Sequence, residues 1–436
     1  MSDEPNIEYP RLRGVEAIPT KDDLICLRDP LGYSERLVLL PREALFVVSL
    51  FDGEHSVIDV QSEFARRFGS ILPAQRVREI IEQLDDCLFL DSNRFRETRR
   101  AMEEAFHNAQ VRQATHAGNA YEAETDALRL QLGELFAGVG PPAGDEPPTG
   151  DLRALIAPHI DVHRGGPCFA SSYAELGRAA AAVTFIVLGI AHVPTRRRFA
   201  LCAKDFATPL GTLPLDRDFL AALEGRLHND FYEDEFVHRS EHSIEFQTLF
   251  LQYLYGGKRP VSFVPILCGG LEQATATGLP EDDPEVRDFL QALRETLAEH
   301  GQSVCCIAGV DLSHLGRRFG QELTLDKSFL QRAEAEDRRM IEKILARDAE
   351  GFFRLIQAER DGRNVCGVPA IYALLRLLEE LDGRPTAGDG PNGQPVGNQP
   401  VGNQPVVTPG RLLRYEQAVE QSAQSVVTFM GAAFYG

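Results

Sequence analysis

Apolar positions along the 436-residue chain follow two different rhythms. Up to about residue 95 they come in short, tightly spaced groups. Asp23–Arg28 and Arg36–Leu40 predict two short strands joined by a turn carrying Pro30 and Gly32. Pro41 stands where a first helical turn would begin, so Glu43–Phe51 predicts a short helix, stopped by Asp52-Gly53. Ser56 can cap a second helix, whose apolar residues are Val57, Ile58, Val60, Phe64 and Phe68. Pro73 opens a third, with Val77, Ile80, Ile81, Leu84 and Leu88 on one face. Cys87–Asp91 predicts a closing strand. From Asp151 onward the rhythm changes to apolar runs separated by helical patterns. Ala154–Ala157, Val183–Leu188, Val261–Leu267 and Val304–Ala308 predict strands, and Phe246–Leu254 and Val368–Leu381 predict helices. This alternation predicts an α/β domain.

Two strands, three helices and a closing strand outline a small winged-helix-like module over residues 1–100. Arg94–Gln110 is charged and helical in pattern, and residues 101–110 are expected to link the module to the α/β domain over 111–436. Within that domain, Ala123–Phe136 has a helical pattern and Gly138–Gly150 reads as a Pro/Gly loop. Near the C-terminus the repeat GQPV, GNQPV, GNQPV lacks aromatic and charged residues and cannot form a core. It predicts a disordered surface insertion at about residues 385–408.

Composition narrows the function classes. With 43% hydrophobic and 25% charged residues the chain can bury a sizeable core, which excludes global disorder. Lys+Arg 45 against Asp+Glu 65 gives a net charge of −20. Phosphate backbones and anionic membranes attract clustered cations, so neither nucleic acid nor a membrane surface is an expected partner. The opening MSDEPNIEYPRLRG has no basic stretch followed by an apolar one, so no secretory signal is expected. The eight cysteines show no CxxC or zinc-knuckle spacing. A cytoplasmic protein with reduced thiols is the economical expectation.

Chemistry gathers where the predicted strands end. Ala154–Ala157 runs into Pro158-His159, Val183–Leu188 into Gly189-Ile-Ala-His192, and Val304–Ala308 into Gly309-Val-Asp311-Leu-Ser-His314. In open α/β sheets ligands bind beyond the carboxyl ends of strands, so side chains distant in sequence converge there. Ser240-Glu241-His242-Ser243-Ile244-Glu245 is another dense polar cluster, followed by the helix Phe246–Leu254. Ser240 or Ser243 could cap it, and Glu241-His242 could equally form an acid–base or substrate-binding pair. Cys366 precedes the helix at Val368. A helix N-terminus favours the thiolate, the nucleophilic and metal-binding form, whereas a buried, inert cysteine is the plainer reading.

Two stretches resemble known families. LLPREALFVVSLFDGEHSVIDVQSEFARRFG (Leu39–Gly69) is similar to PqqD-like peptide-recognition domains, a resemblance covering roughly residues 20–95. It implies docking of a peptide or protein partner. A structural role is the plainer alternative, and DNA binding would need a basic face that is missing. From Val111 onward the chain resembles the Memo family, whose bacterial members are called AmmeMemoRadiSam system protein B. The motifs are VRQATHAGNAY (Val111–Tyr121), LIAPHIDVHRGGP (Leu155–Pro167), VLGIAHVP (Val187–Pro194), ATPLGTLPLD (Ala207–Asp216) and EHSIEFQ (Glu241–Gln247). VPILCGG (Val264–Gly270), VDLSHLGRRFG (Val310–Gly320) and VCGVPAIYALL (Val365–Leu375) complete them in order.

This resemblance implies a fold similar to class III extradiol dioxygenases, with a central, mostly parallel sheet flanked by helices. It implies a metal held by His159, His192 and Cys366. His242, Asp311 and His314 are implied to line the same cleft in supporting or acid–base roles. The family's usual PHAGY is replaced by Pro158-His159-Ile160-Asp161-Val162, so Asp161 and His163 add polar groups, and His163 could compete as a ligand. Two imidazoles and a thiolate suit Fe(II) first, with copper or zinc also reasonable, and do not suit Mg or Ca. The expected function is redox or oxygenase-like chemistry on a small molecule or peptide. The alternatives are a non-catalytic peptide- or protein-binding scaffold and a zinc-dependent hydrolase. The family's bacterial name implies radical-SAM system partner proteins.

Overall fold

The computed structural model of the chain describes residues 8–139 except 21 and 23, and residues 150–179, 181–271, 278–381 and 408–436. The expected insertion at about 385–408 lies, but for its last residue, outside the described residues, as does most of the Pro/Gly loop. The chain divides into two compact units, Met1–Ala109 and Gln110–Gly436.

The first unit carries an antiparallel three-stranded sheet of β1 (Glu16–Pro19), β2 (Ile25–Arg28) and β3 (Val38–Leu40), in that order. Four helices follow: α1 (Arg42–Ser49), α2 (Val57–Phe68), α3 (Ala74–Asp86) and α4 (Asn93–Asn108). Ser56 and Asp59 form a capping box at the start of α2, and Gly69 ends it in the left-handed conformation. Val60, Phe64, Val77, Ile81 and Leu84 bury one stripe each of α2 and α3 in a common core with Leu27 and Val38. β1 escaped the sequence reading because its four residues include one apolar pair and a proline. The expected strand Cys87–Asp91 does not form. Leu88 has φ 60°, which breaks the extended run, and Leu90 makes a single bridge to Leu12.

In the second unit, β4 (Val111–Arg112) precedes α5 (Thr125–Ala137), β5 (Leu152–Ala157), α6 (Val162–Ala179), β6 (Thr184–Ile190) and β7 (Phe199–Leu201). Next come β8 (Asp205–Thr208), β9 (Gly211–Leu213), α7 (Arg217–Glu224), α8 (His242–Tyr255) and β10 (Ser262–Cys268). Then follow α9 (Pro284–Glu299), β11 (Val304–Gly309), β12 (His314–Gly316), α10 (Lys327–Leu345), α11 (Ala349–Ala358), α12 (Val368–Leu381), β13 (Arg411–Glu420) and β14 (Ser425–Tyr435).

The large sheet runs β12-β14-β5-β11-β6-β10-β7, with β13 paired to β14. Its centre, β5-β11-β6-β10, is parallel, and β7, β12, β13 and β14 run antiparallel to their neighbours. The sheet is therefore mixed. The parallel strands are buried on nearly every residue, as both faces are covered by helices. α12 is apolar through much of its length and packs in the same core, where each fully buried leucine contributes about 2 kcal/mol. No described helix is long and apolar enough to cross a membrane.

One topological fact positions the site. β11, late in the chain, inserts between β5 and β6, with Gly309 opposite Ala157 and Ala308 opposite both Ile156 and Leu188. The segments leaving these three strands, with His159, Asp311 and His192, therefore emerge side by side at one end of the sheet.

Candidate metal centre

His159, His192 and His242 meet beyond these strand ends. One ring nitrogen of each lies within 4.8 Å of the others. Ring centroids are 4.9 Å apart for His159–His192, 5.2 Å for His159–His242 and 4.7 Å for His192–His242. The third member arrives from α8. That helix approaches the strand ends closely because Gly189 and Gly309 have no side chain. A Cβ on Gly189 would meet Ile244 Cγ1 at 2.5 Å, and one on Gly309 would meet Gln247 Nε2 at 2.5 Å. Ser243 completes the junction, its hydroxyl donating to Ile190 O and accepting from Ile190 N.

Glu241, not Ser240 or Ser243, caps α8, accepting from the backbone N–H of His242 and Ser243 at 2.8 and 2.9 Å. The same buried carboxylate lies 3.0 and 3.1 Å from His192 Nδ1 and 3.1 Å from His242 Nδ1. Burial by itself would raise its pKa, but the His192 and His242 imidazoles outweigh burial and hold Glu241 well below the usual range. An ionised carboxylate only accepts, so both Nδ1 atoms carry the proton. His159 Nδ1 faces Gly309 O at 2.9 Å and donates to it. All three rings are thereby set with Nε2 as the lone-pair atom, the arrangement that second-sphere partners impose on metal-binding histidines. His159 is 1% exposed, while the His192 and His242 side chains are 34% and 30% exposed, so the cluster opens on one side.

Burial and the neighbouring His192 and His242 push His159 well below the ordinary imidazole value. Burial also opposes protonation of His192, but Glu241 prevails and raises it. Cys366 Sγ lies 3.3 Å from His159 Nε2 and faces Asp311 O at 3.7 Å. It thus reaches the cluster through His159. Its thiol differs from the sequence expectation: burial first, then the Asp311 carboxylate, push it well up, overriding the helix N-terminus. A bound cation would reverse that balance, since a coordinating thiol is deprotonated.

Asp311 is buried and accepts from the backbone N–H of His159 at 3.0 Å and Ile160 at 3.2 Å. Burial outweighs those two bonds and pushes its carboxyl up to about 6. His314 is partly buried outside the trio. Its Nδ1 donates to Leu312 O at 3.1 Å, and burial lowers it to about 4. His163 is exposed, with Nδ1 3.3 Å from Gln131 Nε2, and Asp161 pairs with Arg164. Neither belongs to the cluster.

Glu245, on α8, anchors a buried group to which the sequence assigned no role. Arg112 and Glu245 form a fully buried ion pair, and Tyr121 OH and the N–H of Thr115 and His116 also donate to Glu245. Arg112 donates further to Glu241 O and His238 O. This lacing fastens the HAGNAY segment to the start of α8. Its one sequence signal was a second glutamate four residues after Glu241, one helical turn away.

Three imidazoles and a thiol in contact with one of them are borderline-soft donors, a set that fits Fe, Cu or Zn. The family model for Memo-like protein matches residues 112–433. A MEMO1 family protein of Aquifex aeolicus is 26% identical over 426 residues, spanning 98% of this chain and all of the relative. One from Methanococcoides burtonii is 30% identical over 276 residues, 63% of this chain and 90% of the relative. One from Thermus thermophilus is 25% identical over 330 residues, 76% of this chain and 92% of the relative. The motifs read from the sequence and the match across most of the second unit lead to one assignment: the chain belongs to the Memo family.

Proposed function

We propose that the unit Gln110–Gly436 binds one transition-metal ion, with Fe(II) preferred over copper or zinc, and serves redox or oxygenase-like chemistry on a small molecule or peptide. The observation that supports this most is the meeting of three imidazoles, one of them in contact with the Cys366 thiol. His159, His192 and Cys366 are the proposed ligands, and His242 is close enough to add a fourth donor. An iron ion held by imidazoles and an anionic donor supplies open positions for O2 and a substrate. The chain's own residues handle orientation and protons. Glu241 fixes two rings, Asp311 exchanges a proton near pH 6, and His314 stays neutral. The exposed sides of His192 and His242 mark where a substrate enters.

Zinc-type hydrolysis is the second reading, favoured by the third histidine, since three imidazoles also suit a zinc-bound water. Elemental analysis of protein purified anaerobically without an affinity tag, followed by O2-uptake measurement, separates the two. Copurified iron or copper with substrate-dependent O2 consumption supports the first. Tightly held zinc without O2 consumption overturns it.

The first unit is assigned a docking role toward a peptide or protein partner, among them the radical-SAM system proteins. β3 is an edge strand of its sheet, and Leu37, just before it, and Leu39, within it, are 62% and 56% exposed. Edge strands of this kind accept an added strand from a partner. The unit and the chain from residue 110 onward are expected to fold separately.

A further inference from the structure

Two loops deliver the side chains on the far side of His159. One, between β11 and β12, carries Asp311 and leads into His314. The other, between α11 and α12, carries Cys366. Neither is held by regular structure, and the second is conformationally costly: Arg360, Asp361 and Asn364 all have positive φ, at 51°, 47° and 48°. Something must hold that path in place.

Asp337, on α10, is fully buried and touches none of the proposed ligands. Its Oδ1 accepts from Ser313 Oγ at 2.6 Å and from Arg363 Nη1 at 2.9 Å. Its Oδ2 accepts from Tyr415 OH at 2.8 Å. Ser313 stands between Leu312 and His314 in the first loop, and Arg363 stands three residues before Cys366 in the second. The loops are also laced directly. His314 N donates to Arg363 O at 2.8 Å, and Asn364 Nδ2 donates to His314 O at 3.1 Å. Arg363 has a second anchor on its own side, its Nε donating to Glu359 at 2.9 Å. One carboxylate oxygen thus joins the two loops, and the other ties them to β13.

We propose that Asp337 is a positioning residue for the metal centre, holding the Cys366 and Asp311–His314 loops in register through Arg363 and Ser313. This rests on the metal-binding reading above. An ionised carboxylate can accept from all three donors at once. An amide of the same shape is neutral and has one acceptor oxygen, so it accepts on one side only, and even there it loses the charge that strengthens the Arg363 bond. Arg363 would keep Glu359 and the backbone bond from His314 N, but its side-chain link to the neighbouring loop through Asp337 would weaken. The loop carrying Cys366 would then relax from its left-handed path, and Sγ would drift from His159 Nε2. The imidazole trio, set by Glu241 and Gly309 O, would stay.

The test uses the full chain loaded with Co(II), whose spectrum reports thiolate ligation separately from imidazole ligation. The parent should show a thiolate-to-cobalt charge-transfer band that Cys366→Ser lacks. Asp337→Asn should bind Co(II) about 10–100-fold more weakly and lose most of that band while keeping the weaker ligand-field bands. Tyr415→Phe removes a donor from the other oxygen and leaves the loop link intact, so its band should match the parent. An Asp337→Asn protein that melts lower yet keeps the full band and affinity overturns the proposal, because its role is then only structural. A parent without a thiolate band instead defeats Cys366 ligation. The positioning claim is then read in metal-free protein, by the iodoacetamide alkylation rate of Cys366 followed by mass spectrometry. Asp337→Asn should raise that rate several-fold, and an unchanged rate overturns the proposal.

Discussion

The large sheet carries a histidine and carboxylate cluster at each end of its parallel strands, and the two are built for different ends. At the N-terminal ends, Asp216 caps α7 and accepts from Thr184 Oγ1 at 2.5 Å and Ser262 Oγ at 3.0 Å, the first residues of β6 and β10. His300 Nε2 lies 3.4 Å from Thr184 Oγ1 and 3.7 Å from Asp216, and its ring packs edge-on against Phe219. The donors there face the acceptors and little is left over, so the cluster fastens strands to a helix. At the C-terminal ends, Glu241 takes up only the Nδ1 side of two imidazoles, and Gly309 O takes that of a third. The three imidazoles stay gathered there, with one ring nitrogen of each within 4.8 Å of the others. Having His and Asp or Glu together at a strand end does not by itself make a site. Unspent donor atoms on a shared centre do.

The largest expected effect comes from removing a ring that supplies a free lone pair. A structural zinc site gains about 10–16 kcal/mol from four ligands, so one ligand is worth about 2.5–4 kcal/mol. His192→Ala should therefore weaken metal affinity several-hundredfold by calorimetry. His300→Ala, at the other end, should leave it within about twofold. Equal losses would erase the distinction between the clusters.

His238 gives the next largest effect and a third kind of buried histidine. It lies outside both clusters, with Nε2 donating to Ala200 O at 3.0 Å, and burial lowers it to about 4. In the unfolded chain it takes up a proton near pH 6.5, and in the folded chain only near 4. Between these values the unfolded state binds more protons, so stability falls as the pH drops from 6.5 to 4. The loss reaches about 3 kcal/mol. Denaturant melts across that range should show His238→Gln losing correspondingly less.

Glu241→Gln probes the difference between orienting a ring and supplying a ligand atom. The amide still caps α8 but no longer fixes both Nδ1 protons, so affinity should drop about 10–100-fold with the fold intact by circular dichroism. The smallest effect belongs to the fastening cluster. Asp216→Asn weakens a cap and two hydroxyl bonds and should cost about 1–2 kcal/mol of stability without changing metal affinity.

The sequence made the α/β layout of the second unit legible because its four parallel strands are unbroken apolar runs. It also located His159, His192 and Asp311, since each closely follows such a run. Cys366 was legible by its place before an apolar helix, but its thiol environment was not, because burial depends on what packs over it. His242 was read in a supporting role. Its entry into the trio depends on α8 approaching across Gly189 and Gly309, a contact between segments about fifty residues or more apart. The work of Asp337 and Arg112 was hidden for the same reason: each joins loops that only the folded chain brings together. Of the flanking antiparallel strands, β7 and β12 were missed because they are three residues each, and β13 because it mixes charged with apolar positions.

The central claim is that the histidine cluster holds one transition-metal ion. Anaerobic titration of the metal-free chain with Fe(II), repeated with Cu and Zn, tests it most directly, with the His159→Ala/His242→Ala double variant run alongside. One ion per parent chain and none per double variant, with matching circular dichroism spectra, is the predicted result. A parent that binds none of the three ions, or a double variant that binds them as tightly, would contradict the account.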